Sequence, residues 1–277
     1  MEGQLTLRNK NLDKLANARI GDVVIIVPCF NEEKRFDKKY FENLVVAKGT
    51  EWLFVDDGSF DNTFNILSDL CSGQNVKALR LPKNVGKSEA VRSGMSYAKD
   101  IYPSINWFGF LDSDGAFSYD EVSEILVAVG DKNFESYDAV FSSRVKLSGR
   151  RIERKTYRHL IGRIVTTIFG AIWKEIPYDT QSGFKLFRNT EFFLDAISKP
   201  LNNRWFFDIG IVVRMANSQG RLPSIWEIPV RSWVDVSESK ISIRESFRLA
   251  FEIPRIASLI FVNRKHLNTY QGSQKVD

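Results

Sequence analysis

Short apolar runs alternating with helix-length amphipathic segments constrain the first half of this chain more than any other feature. Val23–Val27 (VVIIV), Trp52–Val55 (WLFV), Val76–Leu81, Trp107–Leu111 (WFGFL) and Ala139–Ser142 are rich in β-branched or aromatic residues, and turn chemistry follows each. Residues 32–47, 62–72, 87–100 and 119–130 lie between them and read as helices. Strand–helix alternation of this kind predicts an α/β fold, with a mostly parallel central sheet flanked by helices on both faces. In such sheets ligands bind beyond the carboxyl ends of the strands. The loops at those strand ends are therefore where chemistry is expected.

From about Ser148 the texture changes. Arg150, Arg151, Arg154, Lys155 and Arg158 open a segment whose apolar residues recur at spacing four through Phe169 and Trp173, one continuous stripe. A second amphipathic helix is expected over 243–262, kinked or split by Pro254. No apolar run of 18 or more residues occurs, so no ordinary spanning helix is expected. MEGQLTLRNKNLDK has no apolar core of a secretory signal. Cys29 and Cys71 are too few for a disulfide framework, and with two histidines a structural zinc site is not expected; both point to a reduced, cytoplasmic setting. The net charge of +5 suits an anionic partner without choosing among phosphate, nucleic acid and lipid surface.

Four loops carry the chemistry. The first, VPCFNEE, ends strand one at Pro28 and offers Asn31 as a helix cap. The second, FVDDGSFDNT, places Asp56 and Asp57 directly after a buried strand, a costly arrangement unless they accept hydrogen bonds. Ser59 or Asp61 can cap the next helix, which leaves Asp56 available to a base edge or a ribose. NVGKSEAVRSG lacks the GxxxxGK[ST] pattern of a nucleotide triphosphatase, yet Lys87 at a helix start can meet a phosphate. In the fourth, LDSDGAF, Asp112 and Asp114 are separated by one residue, so in extended backbone both carboxylates point to one side. Oxygen-only ligands of this kind favour Mg²⁺ or Mn²⁺ shared with substrate phosphates.

VPCFNEE, VDDGSFDNT, NVGKSEAVRSG and LDSD, in this order, resemble a family 2 glycosyltransferase with the nucleotide-diphospho-sugar (GT-A) fold, over about residues 20–145. The second half resembles the subgroup that loads a hexose onto dolichyl or another polyprenyl phosphate. That likeness rests on Ser142-Ser-Arg144, the basic segment through Arg158 and Arg163, Asp179-Thr-Gln-Ser-Gly-Phe-Lys185, Arg204-Trp-Phe-Phe-Asp208 and Glu227-Ile-Pro-Val230. The resemblance implies that Pro28, Phe30, Glu32 and Asp56, with Asp57 and Lys87 beside them, hold the donor nucleotide. It implies that Asp112 and Asp114 bind the metal and diphosphate, that Arg144 and Arg158 receive the acceptor phosphate, and that Gln181, Ser182 and Gly183 line the sugar. The chain departs from the family pattern at Ala116, Gly162 and Gly210, where a glutamine, a serine and an acidic residue are usual.

The activity this resemblance implies is that of an inverting, metal-dependent hexosyltransferase. It would move a hexose from a nucleoside-diphosphate sugar, UDP-glucose-like or GDP-mannose-like, to a polyprenyl or dolichyl phosphate. A phosphate acceptor is already an anion, with a second pKa near about 6, and needs positioning rather than proton removal. A transferase extending a glycan hydroxyl would need a base, for which Asp208 is the candidate. A non-catalytic basic binding module is the third reading, disfavoured by the acidic pair; nucleic acid is not an expected partner. The expected organisation is a GT-A domain over 1–235 with a membrane-interface helix at 150–175, a C-terminal amphipathic segment at 236–265 and a disordered tail at 266–277. The stripe with Phe169 and Trp173 is read as interfacial, holding the protein on the cytosolic face of a membrane, with a helix that simply covers the sheet as the alternative.

Overall fold

The computed structural model describes residues 22–46, 49–71, 73, 75–153, 163, 166–173, 175–201, 206–234 and 243–267. Strands β1 (Val23–Cys29), β2 (Thr50–Asp56), β3 (Val76–Arg80), β4 (Trp107–Leu111), β5 (Ala139–Ser143), β7 (Phe184–Arg188) and β8 (Ile225–Pro229) form one seven-stranded sheet in the order β3-β2-β1-β4-β7-β5-β8. Short strands β6 (Arg151–Glu153) and β9 (Ser232–Val234) pair beside it. β1 to β4 run parallel, as do β5 and β8, whereas β7 is antiparallel to both of its neighbours. The α/β expectation therefore holds, with one reversed strand inserted in the middle of the sheet.

Helices α1 (Lys38–Leu44), α2 (Thr63–Leu70) and α4 (Tyr119–Val129) cover one face of the sheet; α3 (Lys87–Ile101), α5 (Glu191–Ser198), α6 (Phe207–Gln219) and α7 (Ile243–Leu267) cover the other. The period-two alternation of the strands sorts their side chains. Val24, Ile26, Leu53, Val55, Phe108 and Phe110 enter one core; Val23, Ile25, Val27, Trp52, Phe54 and Trp107 enter the other. β1 has β2 on one side and β4 on the other, so the connections reverse direction there. Such a reversal opens a crevice at the carboxyl ends of the strands, and the first, second and fourth loops all reach it.

Three expectations are corrected. The first helix starts at Lys38 rather than at residue 32, because Asn31 takes a left-handed backbone (φ 49°) and its side chain bonds Phe60 N instead of capping. Asp37 caps in its place, accepting from Tyr40 N at 2.9 Å. Phe169 and Trp173 do not face lipid: both are fully buried, with Phe169 edge-on to Phe206 at 5.4 Å. A stripe at spacing four serves a core as well as a membrane, and here the core takes it. Pro254 lies inside α7 without splitting it, and Ile256 and Ile260 pack into the same core. Among the described residues no helix is long and apolar enough to cross a membrane. Residues 154–162 and 235–242, and with them Arg158, Gly162 and the expected boundary at 235–236, lie outside the described residues, as does most of the expected tail.

Candidate active site

The first two loops are stitched into one wall. Asn31 N donates to Ser59 Oγ at 2.9 Å, Phe60 N to Asn31 Oδ1 at 3.0 Å and Glu32 N to Thr63 Oγ1 at 2.7 Å. Ser59 thus serves the loop contact, whereas Asp61 serves both ends: its Oδ1 accepts from Thr63 N at 3.1 Å at the start of α2, and its Oδ2 from Glu33 N at 3.3 Å. Glu32 is buried and grips Arg35 through both carboxylate oxygens, at 2.7 and 2.6 Å. Asp56 is fully buried at the end of β2. Its Oδ1 accepts from Ser59 N at 3.0 Å, while Oδ2 faces Arg80 Nε at 3.2 Å and accepts no hydrogen bond among the described residues. An acceptor buried this way is short of a hydrogen-bond donor. Phe30 is half-buried and meets the exposed Phe60 edge-on at 6.2 Å, so two rings stand at the rim.

Asp57 works on the protein itself. Its two oxygens accept from Val85 N at 2.7 Å and Gly86 N at 2.9 Å, tying the second loop to the third. The backbones approach so closely that a Cβ at Gly58 (φ 66°) would lie 2.5 Å from the Lys83 carbonyl carbon. This clamp fixes the start of α3 and aims Lys87, whose Nζ sits 2.5 Å from Asp112 Oδ1.

The acidic pair rises from the end of β4, next to the reversal point. Asp112 N donates to Gly183 O at 2.9 Å, and a Cβ at Gly183 would fall 2.5 Å from Asp112 Oδ2. Only glycine therefore lets this loop lie against the carboxylate. Asp114 Oδ1 accepts from Ala116 N at 3.1 Å. Asp114 keeps a solvent-exposed face, yet it stands in a concave site. Surrounding protein and the charge of Asp112 push its pKa up to about 6, against Lys87 and the Ala116 N–H, which pull it down. Two carboxylates crowded in this way could hold a divalent cation. Their all-oxygen donor set fits Mg²⁺ or Mn²⁺.

The second half contributes the opposite wall. Arg144, at the end of β5, is buried and held by Asp179: Nε and Nη2 donate at 2.6 and 2.8 Å, and the backbone N donates at 3.0 Å. Burial alone would lower the arginine pKa. Asp179 raises it, with further support from Asp112 and Asp114, so the guanidinium stays charged. It stacks over Trp233 at 4.9 Å, and Nη1 makes no hydrogen bond among the described residues. Glu227 accepts from Tyr178 N at 2.8 Å and Asp179 N at 3.1 Å, which anchors the loop carrying Gln181, Ser182 and Gly183. Ser182 turns its hydroxyl inward to Ser142, so its backbone rather than its side chain is left to line the cleft.

Asp208 lies in the first turn of α6, buried, with its carboxylate on Lys185 Nζ. Lys185 is wholly buried, donates to Thr180 O at 2.9 Å and lies 4.9 Å from the centre of the Phe141 ring. Burial lowers the lysine's pKa and Asp208 pushes it back. Thus the structure gathers Pro28, Phe30, Glu32, Asp56, Asp57 and Lys87 on one side, the acidic pair at the floor, and Arg144 with the 181–183 loop on the other. Sequence reasoning missed Tyr40, whose buried hydroxyl has no hydrogen-bond partner among the described residues and whose pKa is raised by burial and by Asp114. It also missed Asp179, Lys185 and Glu227 as anchors. Asp179, Lys185 and Glu227 stood in recognised motifs; nothing in the sequence marked Tyr40.

Residues 24–196 match the profile described as Glycosyl transferase family 2. Dolichyl-phosphate beta-glucosyltransferase ALG5C of Trichomonas vaginalis is 29% identical over 248 residues, 84% of this chain and 69% of that protein. The dolichyl-phosphate beta-glucosyltransferase of Saccharomyces cerevisiae is 26% identical over 263 residues, 87% of this chain and 76% of the relative. Among solved structures, glucosyl-3-phosphoglycerate synthase from Mycobacterium tuberculosis with Mn²⁺, UDP-glucose and phosphoglyceric acid superposes with a TM-score of 0.57 at 16% identity, covering 92% of this chain and 83% of that one. At that identity the likeness concerns the fold.

Proposed function

The chain belongs to glycosyl transferase family 2, and on that premise we propose that it moves glucose, or a closely related hexose, from a nucleoside diphosphate to dolichyl or another polyprenyl phosphate with inversion. One observation carries the reading. The loop of Gln181–Gly183 lies directly against Asp112, and the same loop is anchored by the Asp179 that holds Arg144. Donor chemistry and acceptor anchor are thereby fixed to one another. The names of the relatives support the lipid phosphate and the glucosyl group.

Asp112 and Asp114 would hold the divalent ion, which when bound neutralises charge on the leaving diphosphate. Asp56 accepts from the base, the Phe30–Phe60 rim covers it, and Glu32 braces the wall through Arg35. Arg144 presents its free Nη1 edge to the acceptor phosphate and orients an oxygen that is already anionic. No side chain needs to remove a proton. Attachment to a membrane surface belongs to this proposal too. Since Phe169 and Trp173 are buried, it would rest on exposed residues such as Phe261 and Val262, with Arg264 beside them.

The test is a panel of UDP-glucose, UDP-galactose and GDP-mannose with a short polyprenyl phosphate and Mg²⁺ or Mn²⁺, in anionic vesicles that are then floated. Transfer from UDP-glucose to the lipid, with protein in the floated fraction, is expected. Transfer only to a soluble sugar hydroxyl would overturn the acceptor assignment. For Arg144, the informative change is Arg144→Lys, which keeps the charge and loses the fork. A charged hydrogen bond contributes roughly 1.5–3 kcal/mol, so kcat/KM for the lipid phosphate should fall about 10- to 100-fold. UDP affinity, read by calorimetry, should stay within about twofold, well inside one such bond. Equal losses on both would place Arg144 on the donor side.

A further inference from the structure

We propose that Lys87 is the resident counter-cation of Asp112, and that the metal and the nucleotide together pass it from that carboxylate to the diphosphate, so that neither binds well without the other. The inference rests on the reading that Asp112 and Asp114 hold a divalent ion, and it adds an order of events to it.

Three observations lead there. Lys87 is the first residue of α3, a helix of 15 residues, and its ammonium meets Asp112 Oδ1 at 2.5 Å. The start of a helix is its positive end, where a lysine is electrostatically out of place. What offsets this is Asp112, just past the end of β4. Second, the approach is built rather than casual. Asp57 clamps Val85 N and Gly86 N, the missing Cβ of Gly58 lets the two loops touch, and Gly183 leaves room for the Asp112 carboxylate. Third, the lysine side chain is 40% exposed and passes the Phe110 ring with Nζ 5.6 Å from its centre, so it is held at the tip and free along one flank.

A carboxylate oxygen cannot keep an ammonium at contact distance and accept a dication as well, because the two cations repel at that range. Metal arriving alone must expel Lys87 toward a helix start whose acids are already engaged, Asp57 with Val85 N and Gly86 N and Glu89 with Arg92. Metal arriving with a diphosphate brings a free anion, since helix N-termini favour phosphate, and Lys87 need only swing across. The structure thus favours weak binding of metal alone and strong mutual reinforcement of metal and nucleotide.

Electron paramagnetic resonance of free Mn²⁺ reads this without any sugar transfer. Wild type, Lys87→Met, Lys87→Gln and Asp112→Asn are titrated with Mn²⁺, with and without saturating UDP. Removing the ammonium should tighten Mn²⁺ binding in the absence of UDP by about tenfold, the order of one modest charge contact. It should also shrink the enhancement that UDP confers by a similar factor. Lys87→Gln carries the same expectation, so loss of the fold in one variant leaves the other decisive. If both neutral variants bind Mn²⁺ no tighter than wild type, while Asp112→Asn loses the ion, the Lys87 proposal falls and the metal site stands. If Asp112→Asn binds Mn²⁺ as wild type does, the metal reading itself falls.

Discussion

Asp114→Asn should lower sugar transfer by about 100-fold or more, the order expected when several kcal/mol of charge stabilisation are withdrawn from a leaving diphosphate. Chelator should silence wild type to the same degree, and an enzyme fully active in chelator would remove the assignment. A second readout comes from pH. The Asp114 carboxyl titrates at about 6 in the folded chain against an ordinary 3.8. Between those values the folded protein holds more of this proton than the unfolded chain, so the contribution of Asp114 to stability falls as pH rises from 3.8 to about 6, and stays unfavourable above. Asparagine removes that dependence. In metal-free protein the melting temperature of Asp114→Asn should therefore gain on wild type as pH rises through this window. Mn²⁺ affinity of wild type should weaken as pH falls below about 6.

Breaking the pair beneath the site should have the largest effect on stability. Lys185 and Asp208 are both buried, and removing one partner strands the other's charge in the core. Lys185→Met or Asp208→Leu alone should lower unfolding free energy by about 3–5 kcal/mol, whereas the double replacement by apolar groups should recover most of it. Urea unfolding measures all three, and a neutral Lys185→Met would show that the pair contributes little. The double variant also bears on chemistry. If it refolds yet transfers no sugar to any acceptor, Asp208 belongs among the reacting groups, as a base for a hydroxyl acceptor would require.

The parts of this molecule that were legible in sequence are those whose signal is local. VVIIV and WFGFL became central strands because a run of β-branched and aromatic residues of that length has few other homes. Asp112 and Asp114 stand close enough to interact, but through a turn at Ser113–Asp114, because the extended backbone expected to align them ends at Leu111. Where two local signals competed, a distant contact decided. Asn31 and Asp37 are both good caps, and the bond from Phe60 N to Asn31 Oδ1 assigned the helix to Asp37. The stripe through Phe169 and Trp173 was ambiguous for the same reason, since burial against Phe206 cannot be read from spacing. Lys185 and Asp208 each closed a motif in the sequence, yet spacing alone gave no sign that the two meet in the core and make each other's burial tolerable.

The reversed strand β7 decides where such a protein can be cut and rejoined. The residues proposed to hold the nucleotide all precede Phe117, and those of the opposite wall all follow Val140. The two halves meet at the cleft floor where β7 is laid against β4, with Leu111 paired to Phe184 and Asp112 N bonded to Gly183 O. That seam makes the chain a two-part assembly with a defined joint. Exchanging the second half between relatives would transplant acceptor choice onto an unchanged donor pocket. The graft has to begin in the surface turn around residues 130–137 and bring β7 with it, glycine included. A chimera joined there inherits a working alignment between the two substrates; one joined inside β7 inherits only a sheet.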